Sequence, residues 1–268
     1  MTATYDPDAV THALAGTIFA GKLHYFPTIG STNQRAMQDG AEGAPHGSVY
    51  VAEEQTAGRG RASHTWHSEA HAGLYVSILL RPQMAPADAL WLSLAAGLAV
   101  QRAVKETTAF DADLRWPNDL LLGQRKFCGI LTEMNAEATR VRYAVVGTGI
   151  NVDHAQFPPE LRDLATSLRI ESGRTWPHQD LLIALLQAMH QEIAALLAPG
   201  GIAPASQNIR ERITAHSTWV SGKAVHVDEA GGYTGVTAGL DTRGFLLVRT
   251  TDGLRTVLSG GVREQTAR

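Results

Sequence analysis

Gly58-Arg59-Gly60-Arg61 combines residue types suited to binding an anion. Glycines let a backbone approach a ligand closely and expose its N–H groups. Arginines offer planar, permanently charged forks for carboxylate and phosphate. The combination suits a site that holds a carboxylate beside a nucleotide phosphate, and it suits a flexible solvated loop equally well. Four other segments carry functional residue types. In Arg115-Trp116-Pro117-Asn118-Asp119, Asp119 could hold magnesium, which prefers oxygen ligands, and Asn118 could face an adenine edge. Pro-Asn-Asp is also ordinary turn composition. Lys126, ahead of Gly129-Ile130-Leu131, could set a point charge on a phosphate or carboxylate, or simply be solvated. Gly147-Thr148-Gly149-Ile150-Asn151 could form a nucleotide-contacting turn or a plain glycine-flanked strand end. Ser31-Thr32-Asn33 reads first as a helix N-cap, whose hydroxyls could also meet a polar ligand head.

The elements that must position these residues follow from pattern. Asp6-Pro7 starts a short helix, with Val10, Leu14 and Ile18 at helical spacing. A strand over 22–27 comes next, then the helix capped by Ser31, running to about Asp39. Strands are expected over 48–54 and 74–81. Between them, 55–69 has no period and is rich in Gly, Ser, Thr, His and Arg, so it is a long loop. Loops of that length within a compact domain are usually functional or disordered. A long helix reaches about Lys105. Short strands follow at 114–116, 119–122, 126–134 and 141–150. Leu181, Leu185, Met189 and Ile193 then mark a helix at i, i+4 spacing. Beyond Ser217 come short apolar runs separated by glycine-containing turns, which predict a small all-β barrel. The expected division is therefore 1–216 and 217–268.

Composition narrows the function classes. The 268 residues are 44% hydrophobic, enough for a large core or a large domain with a small companion. The net charge of -3 argues against sequence-independent grip on nucleic acid. Cys128 is the single cysteine, so no intrachain disulfide can form, and a reducing compartment fits. No signal peptide is read at the N-terminus. The apolar stretch 85–104 is broken by Asp88, Ser93, Gln101 and Arg102, so it is expected in a core rather than a membrane.

In their order and spacing, the five segments together resemble the biotin protein ligase family. The glycine–arginine loop with Trp66, Ser68, Leu74-Tyr75 and Ser77, the element Arg115 to Asp119, and Lys126 with Gly129-Ile130-Leu131 and Glu133 carry the likeness. It covers about Leu23 to Asn151 and extends loosely to the C-terminal segment. The resemblance implies an α+β fold: a mixed β-sheet flanked by helices, like class II aminoacyl-tRNA synthetase and biotin synthetase catalytic domains, with a small C-terminal β-barrel.

It also implies a two-step reaction. The biotin carboxylate attacks the α-phosphate of Mg-ATP, giving biotinyl-adenylate and pyrophosphate, and a lysine of a biotin carboxyl carrier protein then takes the acyl group. The catalytic residues implied are Arg59, Arg61 and Lys126. Biotin would be met by Ser31, Thr32, Asn33, Gln55, Arg59, Gly60, Arg61, Lys126, Gly129, Leu131 and Gly147. ATP would be met by Gly58, Arg61, Trp66, Asn118, Lys126 and Asn151, with Asp119 on Mg2+. The loop would act as a lid that excludes water from the adenylate.

Departures from the family pattern fall at Ala62-Ser63-His64-Thr65, where a glycine and a second basic residue are frequent, and at Arg115, which replaces a lysine. A lipoate-type ligase of the same fold is the alternative, but its Arg-Arg-x-x-Gly-Gly-Gly element is not found. The chain leaves no room for an N-terminal helix-turn-helix, so DNA binding is not expected. A cytoplasmic location without membrane contact is expected, as a monomer or a homodimer.

Overall fold

A computed structural model of the protein describes residues 5–199, 201–229 and 231–265. Helix α1 (Pro7–Ala13) is capped by the Asp6 carboxylate, which accepts the Asp8 and Ala9 amides. It stops short of Ile18, because Leu14 leaves helical geometry and a run of turns follows. Strand β1 (Leu23–Ile29) contains Pro27, which no sheet interior would accept. The proline is tolerated because β1 is an edge strand.

The remaining elements are α2 (Thr32–Ala41), β2 (Ser48–Gln55), β3 (Gly73–Leu80), α3 (Leu90–Thr108), β4 (Asp113–Arg115), β5 (Asp119–Leu122), β6 (Arg125–Ala136), β7 (Val141–Asn151), α4 (Leu168–Ser172), α5 (His178–Leu196) and α6 (Ile202–His216), followed by β8 (Ser221–Val227), β9 (Tyr233–Leu240), β10 (Leu246–Thr250), β11 (Gly253–Val257) and β12 (Val262–Glu264). The first seven strands form one sheet in the order β1-β2-β3-β7-β6-β5-β4. Only β1 and β2 pair in parallel, so the sheet is mixed.

Helix α2 packs against β2, β3 and β7, while α3 packs against β6, β7 and the long α5. Helix α3 is apolar on nearly every side, with Trp91, Leu92, Leu94, Ala95, Leu98 and Val100 all buried. A helix of that kind needs protein around it. Among the described residues, no helix is long and apolar enough to cross a membrane.

The C-terminal strands form a second, antiparallel sheet in the order β11-β10-β9-β8-β12. Among the described residues β11 and β12 are its edges, so the expected barrel is an open five-stranded sheet. Strand β12 has only three residues and gives its hydrogen-bonding edge to β8. This sheet is docked on the first through specific contacts. The Trp116 indole donates to the Gly244 carbonyl at 2.9 Å, the Ser217 hydroxyl to the Leu114 carbonyl at 2.6 Å, and Arg115 lies over the Trp219 ring.

Candidate functional site

A narrow cleft of about 450 Å³, measured to its open mouth, lies between the start of α2, the end of β2, the loop at 56–72 and one face of β3, β7 and β6. Its floor is bare backbone. Gly129 and Gly149 face each other across β6 and β7, and Gly147 faces Leu131. A methyl group at Gly149 would stand 2.5 Å from Trp66 Nε1, and one at Gly129 would stand 2.9 Å from the same indole. At Gly147 it would collide with the Asn33 amide. These positions therefore need glycine for close approach, so that Trp66 and Asn33 can lie flat on the sheet.

One end of the cleft is lined by neutral hydrogen-bonding groups. Ser31 caps α2, its hydroxyl facing the Gln34 amide, and this places Thr32 and Asn33 in the first turn. All three are buried. The Ser77 hydroxyl lies 2.8 Å from Thr32 Oγ1 and 2.6 Å from Asn33 Oδ1. Gln55 accepts the Thr32 amide at 2.8 Å and donates to the Ser68 hydroxyl at 3.0 Å. Asn33 donates to the Leu131 carbonyl and to Glu133. Buried polar groups are costly unless paired, so this network fixes the orientation of every donor and acceptor in it.

The other end is cationic. Arg61 donates to the Asn118 side-chain oxygen at 2.9 Å, and the Asn118 amide nitrogen donates to the Ile130 carbonyl at 2.9 Å. Burial pulls the Arg61 guanidinium pKa down, and Asp119 offsets part of that. Arg59 reaches Glu133 at 3.3 Å but is about half exposed. Lys126 Nζ sits 2.6 Å from Asp119 and 5.1 Å from the centre of the Trp66 ring. Burial opposes ionisation of Asp119, but Lys126 and Arg115 outweigh it and hold the carboxyl below the usual carboxylate range.

The loop carrying the two arginines is folded as a tight hairpin. Gly60 N–H donates to the His64 carbonyl at 2.7 Å, and Trp66 N–H donates to the Gly58 carbonyl at 2.9 Å. Ala62 occupies the left-handed region at φ 51°, ψ 39°, a conformation that favours glycine. Trp66 ends the hairpin and stands between the narrow cleft and a wider one of about 1060 Å³. Lys126 also borders both, while Asn151, Phe157, Leu164 and Arg263 line only the wider one.

Residues 25–151 match the Biotin/lipoate A/B protein ligase family, and 220–262 match the Biotin protein ligase C terminal domain. The bifunctional ligase/repressor BirA of Bacillus spizizenii is 32% identical over 255 residues, covering 94% of this chain and 77% of that protein. The chain belongs to the biotin protein ligase family. The biotin–[acetyl-CoA-carboxylase] ligase of Paracoccus denitrificans is 30% identical, with 82% of this chain and 90% of that protein covered. The Aquifex aeolicus biotin protein ligase solved in complex with biotin and ATP superposes with a TM-score of 0.78 at 29% identity, covering 91% of this chain and 100% of that one.

Biotin protein ligase resemblance had assigned a biotin side, and the structure brings those residues together: Ser31, Thr32, Asn33, Gln55, Arg59, Gly60, Arg61, Lys126, Gly129, Leu131 and Gly147 all border the narrow cleft. On the expected ATP side the residues are more scattered. Gly58 borders neither cleft; its carbonyl accepts the Trp66 amide. Asn151 faces the wider cleft, but its amide donates to the Thr166 carbonyl at 3.0 Å. Arg61 and the Ile130 carbonyl each engage one end of the Asn118 amide, which fixes its orientation at the cleft wall.

Asp119 does not fit a magnesium site here. Lys126 holds one of its oxygens and Arg115 the other, at 2.6 and 2.8 Å, and its charged neighbours are cations. Mg2+ seeks several oxygen ligands at once. Sequence reasoning gave no role to Ser77, Ser68 or Glu133, although all three hold the recognition network. A serine inside the apolar run Leu74 to Leu80 was a usable signal. Arg263 had none, since only the docking of the second sheet carries it to the wider cleft.

Proposed function

We propose that the protein activates biotin with ATP and transfers it to a lysine of a biotin carboxyl carrier protein. One observation carries this reading: a glycine-floored, hydrogen-bonding cleft adjoins a second, wider cleft, with Lys126 and Trp66 lining both. In the first step a biotin carboxylate oxygen bonds to the α-phosphorus of ATP, and the bond to pyrophosphate breaks. In the second the acceptor amine attacks the acyl carbon, AMP leaves with the electron pair, and the nitrogen gives up its proton.

Ser31, Thr32, Asn33 and Gln55 meet the ureido head, which both donates and accepts. Arg59, Arg61 and Lys126 neutralise carboxylate and phosphate oxygens, where such reactions need fixed positive charge most. Asp119 and Asn118 act through others, holding Lys126 and Arg61 in place. Trp66 packs beside the adenine, and Asn151 braces that wall. Mg2+ enters with the ATP phosphates, which supply the oxygens it needs.

The division into a catalytic part, 1–216, and a C-terminal sheet, 217–268, belongs to the same reading. So do a cytoplasmic location, action as a monomer or homodimer, and the absence of a DNA partner. The relatives named as biotin ligases favour biotin over lipoate. Incubation with ATP, Mg2+, biotin and an apo carrier domain is expected to add one biotinyl group to the carrier, read by mass spectrometry. Equal modification of a carrier lacking its acceptor lysine, or modification with lipoate only, would refute the reading.

A further inference from the structure

Beside the wider cleft, a group of side chains has no part in the chemistry above. His67 and Glu69 leave the outgoing stem of the arginine loop, and His154 lies three residues beyond β7. One ligating atom from each lies within 4.8 Å of the other two. His67 Nε2 is 3.7 Å from the Glu69 carboxylate, and the two imidazole centres are 5.5 Å apart. His154 is 1% exposed, yet neither of its ring nitrogens has a hydrogen-bond partner. The Ala72 carbonyl next to it already accepts the Val152 and Asp153 amides. A buried imidazole with no partner is costly to keep, and such groups ask for an explanation. Phe157 stacks on the ring at 5.0 Å and fixes its plane.

We propose that His67, Glu69 and His154 bind a zinc-class divalent cation. Two imidazoles and a carboxylate form a familiar zinc donor set that leaves one position for water. Bonds of about 2.0–2.1 Å to a tetrahedral ion put donor atoms roughly 3.3–3.4 Å apart. The cluster must therefore tighten by somewhat more than an ångström. Glu69 and His67 are free to supply that movement, with side chains 61% and 35% exposed. An ion here ties the loop stem to the segment after β7, on the wall that His67 and Phe157 form in the wider cleft.

The test is Zn2+ titration of chelator-treated full-length protein by calorimetry, with the bound ion counted by elemental mass spectrometry. Cobalt substitution reports the coordination geometry. One ion per chain with a tetrahedral cobalt spectrum is expected. His154→Phe should remove the ion while keeping the stacked ring, and Glu69→Gln should weaken binding at least tenfold. His67→Asn changes a partly exposed side chain, so it decides the matter if His154→Phe does not fold. No stoichiometric zinc, or unchanged zinc binding in His67→Asn, would overturn the proposal and leave only adventitious binding by the other surface histidines.

Discussion

The two ends of the narrow cleft are built differently. At one end Ser31, Thr32, Asn33 and Ser77 are buried and hydrogen-bonded to fixed partners. At the other end Arg59 is half exposed and the hairpin that carries it includes Ala62 in a left-handed turn. The first end is rigid before any ligand arrives, as shape and hydrogen-bond recognition require. The second lies more open to solvent, and under the proposed reaction it would serve as a lid over the reactive anhydride. Substitutions should therefore separate by end: those in the buried network should change biotin affinity, and those at the cationic end should change the rate.

The largest effect is expected at Lys126. Lys126→Ala should lower biotin-dependent ATP–pyrophosphate exchange about 10²–10³-fold, in line with the loss of one preorganised transition-state charge contact. Arg115 still pairs with Asp119, so circular dichroism should find the fold retained. Near-normal exchange in that variant would remove Lys126 from the chemistry.

Gly149→Ala should come next. The new methyl has no room beneath Trp66 and must displace it. Overpacking of this kind costs about 1–3 kcal/mol. The Trp66 fluorescence response to ATP should weaken and the KM for ATP should rise, and an unchanged KM would show that Trp66 does not shape the nucleotide side. Ser77→Ala tests the rigid end. It leaves the Thr32 and Asn33 side chains without a shared partner, a loss of about 1–3 kcal/mol. Biotin affinity measured by calorimetry should fall roughly 5- to 150-fold by the same free energy, with kcat at saturating biotin nearly unchanged. A fall in kcat alone would break the division between the two ends.

Ala62→Gly should have the smallest effect. Alanine in the left-handed region costs about 1–2 kcal/mol, while glycine loses more backbone freedom on folding, so the net gain should be at most about 1 kcal/mol. Protease cleavage within the loop should slow slightly or stay constant, and faster cleavage would show that Ala62 helps order the loop.

Much of this site could be read from residues close in sequence. Ser31 with its cap, the strand at Val49-Tyr50-Val51 and the glycines of β6 and β7 each follow from local pattern. The clustering of the two arginines, Lys126 and Asn33 came from the family resemblance, because spacing alone says little about residues far apart in the chain. Asn118 and Asp119 were assigned to ligands on side-chain type, whereas contacts within the protein engage them. Arg61, which holds Asn118, lies 57 residues away, while Arg115 on β4 and Lys126 on β6 flank Asp119 from the strands on either side of β5. The closure of the C-terminal strands was equally out of reach, since short runs and turns describe an open sheet as well as a barrel. His154 gave no signal at all, because its isolation depends on burial.

Biotin-dependent exchange of labelled pyrophosphate into ATP, measured with wild type and Lys126→Ala and with lipoate as the control acid, tests the central claim most directly. Rapid exchange with biotin, little with lipoate, and near-background exchange in the variant is the expected result. Exchange that ignores biotin, or that survives the loss of Lys126, would contradict the account.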